Sequence, residues 1–316
     1  MKIYYIQFST DFHLLASLAS IDDLWGSHVV LVGPHTNMAV LLVEKISAEY
    51  IIADPRGAPL KLRKLLLLLT RALRCRECVI VSPFVFPTYI FLRLLEEGRM
   101  VTSIIRTDEG VGSYASIGHY YNSLKLESAQ ERKLQCAMKA LVKKTSVWLT
   151  RFLGICREKY IFNKDLSVDQ GRVERLRKNI GLLGRREDLN GKMVYISQPG
   201  VSASFESTSK YVSFINKVAE KLGFGSAVIK RHPSDMFDYS TFGFEVVEGY
   251  PLELYQLKNS VVVGFSSTAL LMAKILSDCS EVYYIKISGQ GPFYDGLSPM
   301  NKRLFDRYLV PMPGVL

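Results

Sequence analysis

Short, nearly continuous apolar runs alternate with stretches of helical spacing along the chain, and that alternation narrows the possible fold more than any other feature. In the first half the runs are "KIYYIQF" (2–8), "HVVLVG" (28–33), "YIIAD" (50–54), "CVIVSP" (78–83) and "MVTSIIR" (100–106). Between them, 58–74 and 84–96 carry helical spacing, with Leu60, Leu65, Leu69 and Leu73 in the former. Strands that are apolar on both faces belong to parallel sheets covered by helices on both sides. The second half repeats the theme with strands in "EKYIFN" (158–163), "KMVYISQP" (192–199), "GSAVIKRHP" (225–233), "FEVVEG" (244–249), "SVVVGFSS" (260–267) and "EVYYIKI" (281–287). Helices are predicted over 207–223 and 267–277.

At 316 residues the chain exceeds the usual size of a single core. It is expected to form two Rossmann-like α/β domains facing a central cleft, 1–155 and 156–316, with the last helix free to cross back. No G-x-G-x-x-G follows the first strand, which argues against a nicotinamide or flavin dehydrogenase. The five cysteines are odd in number and scattered, as expected in a reducing compartment. "CREC" (75–78) has redox or zinc spacing, but no second C-x-x-C or histidine pair completes a metal site, so it reads as structural. "MKIYYIQFSTDFHLL" meets Gln7, Ser9, Thr10 and Asp11 before a signal-like apolar stretch develops, and "LLLLL" (65–69) is too short to span a bilayer. A cytoplasmic protein is expected.

The net charge of +10 favours anionic partners without choosing among lipid, nucleotide, acidic sugar and nucleic acid. Nucleic acid is disfavoured, because the cations form no compact patch interleaved with stacking aromatics and no known binding motif is present. The basic stretch 132–159 sets Lys139, Lys143, Lys144, Arg151 and Arg157 beside Leu141, Val142, Trp148, Leu149, Phe152 and Leu153. As a helix it would suit either an anionic membrane surface or an interdomain packing role with a solvated cationic face.

Three strand ends carry chemistry. "IIRTDEGVGSY" (104–114) finishes on Asp108, Glu109 and Gly110: a turn by composition, and also a place for a carboxylate proton acceptor. "VIKRHPSD" (228–235) puts His232 where a strand ends and Pro233 forbids further pairing. Open α/β sheets bind ligands at such carboxyl ends. "VVVGFSSTALLMAKIL" (261–276) places Gly264, Ser266 and Ser267 at a strand-to-helix junction, where serine caps the helix and the helix terminus attracts anions. "EGYPLELYQL" (248–257) adds Glu253 in a first turn after Pro251, with Glu248 close by.

In this order, D-E-G, H-P and S-S resemble the shared motifs of the bacterial GT-B sialyltransferases, the lipooligosaccharide, capsular and polysialic acid enzymes. "ISQPG" (196–200) and "SSTALLMA" (266–273) are similar to that family's donor-domain segments. The resemblance implies two Rossmann-like domains, the first on the acceptor side and the second binding a CMP-sugar. It implies inverting transfer of sialic acid from CMP-Neu5Ac to a terminal sugar hydroxyl, galactose by default, on a lipid-linked surface glycan. Asp108 is then the expected base and Glu109 its tuner, with the two roles open to exchange, and His232 the acid or cation at the donor phosphate. Ser266 and Ser267 would bond phosphate oxygens, with Gln198 and Gly264 in the same donor segments. Lys230 and Pro233 would flank the cytosine, and Glu253 the ribose. Asp11 and His13 after the first strand, and Tyr114 and His119 after D-E-G, are the candidate acceptor residues. No metal or other cofactor is expected: there is no D-x-D triplet, and one phosphate needs little neutralisation. Peripheral contact with the inner membrane face would follow from the basic stretch. Another CMP-sugar (Kdo or pseudaminic acid), a UDP-sugar, or a non-catalytic basic nucleic-acid or membrane-binding protein are the competing readings.

Overall fold

The computed structural model describes residues 2–52, 77–83, 102–107, 141, 156–163, 165–184, 187–279, 281–286 and 293–314. These form two units, one running through Leu183 and the other from Gly184 onward.

The first unit holds a parallel sheet of β1 (Lys2–Gln7), β2 (His28–Gly33), β3 (Glu49–Ile52), β4 (Glu77–Ser82), β5 (Thr102–Arg106) and β6 (Cys156–Glu158) in the order β3-β2-β1-β4-β5-β6. On β1 the consecutive residues Ile3, Tyr4, Tyr5 and Ile6 are all buried, as a strand covered on both faces requires. Thr10 caps α1 (Asp11–Leu18) and Thr36 caps α2 (Asn37–Ile46), each accepting from a main-chain N–H of the first turn. A third helix, α3 (Gln170–Leu183), turns Val173, Leu176, Ile180 and Leu183 inward at helical spacing and packs on α1 and α2. Asn179 in its buried face donates to the Leu18 carbonyl at 3.0 Å.

The expected domain break at 155/156 therefore falls inside this unit. Cys156, Arg157 and Glu158 pair in register with Ile104, Ile105 and Arg106, so of the run 158–163 read as the second half's opening strand only Glu158 lies in a strand, and that strand completes the first sheet. A polar row closes the carboxyl edge of that sheet. Ser82, Arg106 and Glu158 stand side by side on β4, β5 and β6, each the last residue of its strand. Ser82 Oγ donates to Gln7 Oε1 at 3.4 Å, which extends the row to β1.

The second unit holds a parallel sheet of β7 (Met193–Ile196), β8 (Val228–Lys230), β9 (Glu245–Val247), β10 (Val261–Gly264), β11 (Glu281–Tyr284) and β12 (Val310–Pro311), ordered β12-β11-β10-β7-β8-β9. Helix α4 (Thr208–Lys221) is capped by Ser207 and buries Tyr211, Phe214, Ile215 and Val218 at i, i+3, i+4, i+7. It ends on Gly223, whose φ of +81° a side chain would oppose. With Tyr195, Tyr239, Val263, Phe265 and Phe293 this face makes an aromatic core. Helix α5 (Thr268–Leu276) packs on β10 and β11, and Gly264 is set toward it. A Cβ on Gly264 would stand 3.2 Å from both Ile196 Cβ and the Ile196 carbonyl, and 3.5 Å from Leu270. The last helix, α6 (Pro299–Tyr308), packs beside α5, and β12 extends the sheet next to β11, so the chain end stays with the second unit rather than crossing back. Among the described residues no helix is long and apolar enough to cross a membrane.

Candidate functional site

The strand order sets β7 between β10 and β8, and the residues leaving β7 hold both neighbours. Ser197, fully buried, donates its N–H to the Lys230 carbonyl at 3.1 Å and accepts the His232 N–H on its hydroxyl at 3.0 Å. The next residue, Gln198, accepts the Ser266 N–H on Oε1 at 3.1 Å. Side chains from one strand exit thus fix the H-P segment on one side and the S-S segment on the other. The two exits lie two strand spacings apart, roughly 10 Å.

Local rules explain each segment. His232–Asp235 is a β-turn with Pro233 at its second position, and the Asp235 N–H closes it on the His232 carbonyl at 2.9 Å. The His232 Nδ1 accepts the Ser234 N–H at 3.1 Å. Desolvation lowers the His232 pKa from its ordinary 6.5, while Asp235 pulls upward and Lys230 downward. The residue is nonetheless exposed. Ser267 is the N-cap of α5 and accepts the Ala269 N–H at 3.3 Å, and Ser266 is buried beneath it. A capped helix terminus at a strand's carboxyl end favours an anion electrostatically.

Around the turn, Lys230 is buried with its Nζ 5.9 Å from the Tyr255 ring centroid and 3.4 Å from the Arg231 carbonyl. Glu253 is buried in the 3-10 turn Leu252–Leu254. Glu248 is exposed and paired with Arg231 at 2.5 Å, which separates the two glutamates that sequence left close.

In the first unit, Asp11 opens α1, and His13 is buried with its Nδ1 accepting the Ser9 N–H at 3.2 Å, tying the β1–α1 turn. Asp108, Glu109, Tyr114 and His119 lie outside the described residues, as do Cys75 and all of 132–155 except Leu141. Two residues before Asp108, Arg106 is 6% exposed, and its guanidinium faces Glu158 Oε1 at 3.4 Å. Glu158 Oε1 also accepts from the Tyr160 hydroxyl at 3.0 Å.

Sequence reasoning missed Ser197, Asp235, Arg106 and Glu158. Ser197 sits in the quoted "ISQPG" and Asp235 in "VIKRHPSD", but their partners stand too far along the chain for any local signal. Arg106 carried one usable cue, a cation closing a β-branched run.

No protein-family model and no curated protein matches the chain. Solved structures do. A 2,6-sialyltransferase from a Vibrionaceae Photobacterium species, solved with CMP and lactose, is similar over 98% of this chain and 78% of its own, with a TM-score of 0.52 at 8% identity. The α/β-galactoside α-2,3-sialyltransferase of Photobacterium phosphoreum matches 98% of both chains with a TM-score of 0.49 at 9% identity. The E. coli heptosyltransferase with ADP covers 100% of this chain and 94% of its own, with a TM-score of 0.45 at 13% identity. At such identities the likeness concerns fold: two parallel α/β units of the GT-B class.

Proposed function

We propose that the protein is an inverting, metal-independent sialyltransferase that moves sialic acid from CMP-Neu5Ac to a sugar hydroxyl of a surface glycan. The observation that carries this reading is the pair of hydrogen bonds that the Ser197 and Gln198 side chains accept from the His232 and Ser266 N–H groups, which gather the H-P and S-S segments at one carboxyl edge. Among folds of this class, the 2,6-sialyltransferase solved with CMP and lactose adds support for a cytidine donor. In the reaction the acceptor oxygen attacks the anomeric carbon, and its proton passes to Asp108. The bond to the CMP oxygen breaks with its electron pair, and the phosphate departs against His232, Ser266, Ser267 and the α5 terminus. Lys230 and Pro233 would bracket the base, and Glu253 would accept from the ribose diol. The acceptor, lipid-linked and met at the inner membrane face through 132–159, belongs to the same proposal.

Thermal unfolding with CMP, UDP and GDP tests the donor class, because a ligand raises the midpoint according to its saturation. CMP is expected to raise it most; a larger rise with UDP would replace the donor. Mass analysis after incubation with CMP-Neu5Ac and galactose-terminated acceptors then reads the transfer itself, with CMP-Kdo and a CMP-pseudaminic acid as controls.

Substituting the serines should separate their roles. Ser266→Ala and Ser267→Ala are each expected to weaken CMP binding by about tenfold or more in calorimetry, the scale of a hydrogen bond to a charged group. Ser267→Ala should also cost about 1 kcal/mol of stability, because it removes the α5 cap. Unchanged affinity in both variants would move the phosphate elsewhere.

A further inference from the structure

His232 is held at three points. Its N–H donates to Ser197 Oγ, its carbonyl accepts from Asp235, and its Nδ1 accepts the Ser234 N–H. A backbone amide offers a proton and no lone pair, so the ring nitrogen facing it carries no hydrogen. In the neutral ring the proton then resides on Nε2.

The turn that imposes this is anchored from below. The Asp235 carboxylate, buried, accepts from the Tyr239 hydroxyl at 2.8 Å and the Phe237 N–H at 3.2 Å. The Tyr239 hydroxyl lies 2.9 Å from that of Tyr211, which lies 3.3 Å from that of Tyr195 on β7. Burial pushes Tyr211 up to about 12 and raises Tyr195 and Tyr239 as well, so the three phenols stay neutral. A row of hydroxyls through the aromatic core thus ends on one carboxylate under the H-P turn.

We propose that His232 meets the phosphate as a neutral imidazole donating from Nε2, and that Asp235 is the positioning residue whose turn selects that tautomer. Taking phosphate as the ligand rests on the function proposed above; the tautomer does not. A second proton would have to enter at Nδ1, against the Ser234 N–H, and would break that bond. Lys230 also opposes the cation, Asp235 favours it, and the neighbouring Arg231 and Glu248 pair with each other. The departing phosphate therefore leaves as the anion, stabilised by donated hydrogen bonds and not protonated by His232.

The imidazole nitrogens of the full chain, observed by nitrogen-15 NMR at pH 7, test this. One neutral form protonated on Nε2 is expected, retained when CMP is added and mixed with the other tautomer in Asp235→Ala. An Nδ1-protonated ring, or a doubly protonated ring in the CMP complex, would overturn it. Should CMP fail to bind, the spectrum of the free chain still decides the tautomer, and the loss falls on the donor reading alone. In calorimetry His232→Ala should weaken CMP binding by about 10- to 100-fold, and His232→Gln, which restores a neutral donor at the Nε2 position, should recover most of it. A glutamine variant no better than alanine counts against a neutral donor.

Discussion

Replacing Asp108 by alanine is expected to lower turnover by roughly two to four orders of magnitude and to leave CMP binding unchanged. The split follows from the division of labour. The acceptor hydroxyl must lose a proton, and within the proposed mechanism only the D-E-G carboxylates are offered for that task. In the same proposal the nucleotide is held by His232, Ser266 and Ser267, more than a hundred residues later. An unperturbed aspartate, with a pKa of ~3.9, is ionised but feebly basic at neutral pH, and in the proposed mechanism Glu109 is the neighbour that would tune it. Comparing Asp108→Asn with Glu109→Gln assigns the roles, since the base is the one whose amide variant loses more turnover at equal CMP affinity. Near-normal turnover in Asp108→Ala would require another base.

The second large effect concerns stability. Glu158→Ala is expected to destabilise the first unit by about 3–5 kcal/mol, because it strands the buried Arg106 guanidinium. That corresponds to a fall of roughly 6–20 °C in the unfolding midpoint for a unit of this size. Arg106→Met should cost far less, within about 1 kcal/mol of the parent, since it removes the charge that needed a counter-ion and keeps an apolar stem. The asymmetry is the test. The Arg106 and Glu158 side chains are 7% and 18% exposed, and among the described residues no partner reaches Arg106 Nε. Equal losses from the two substitutions in calorimetric melting would show that the pair is a solvated surface contact, whose worth is usually under about 1 kcal/mol.

Much of the molecule could be read from short stretches. "HVVLVG" predicts a strand over 28–33, and β2 spans His28–Gly33. The helix expected over 207–223 is Thr208–Lys221, opened by a serine cap and closed by glycine. The helix after S-S begins where Ser267 caps it. These are decided by neighbours within one or two turns: side-chain period, a cap, a residue that forbids pairing. "EKYIFN" reads as a strand, but only its first residue, Glu158, lies in one, at the end of Cys156–Glu158 in the first sheet. Where Cys156–Glu158 pairs depends on β5, some fifty residues earlier.

Short-range patterns alone point to two parallel α/β halves, the Pro233 turn that carries His232, and the Ser267 cap. Tertiary structure alone decided that β7 separates β8 from β10, that Ser197 and Gln198 reach across 35 and 68 residues to hold His232 and Ser266, and that Asp235 is rooted in three buried tyrosines. The physical reason is range. Backbone torsions and caps answer to adjacent residues. A buried hydrogen bond between distant strand ends becomes specified only when packing removes water from both partners and leaves each the other as its available mate.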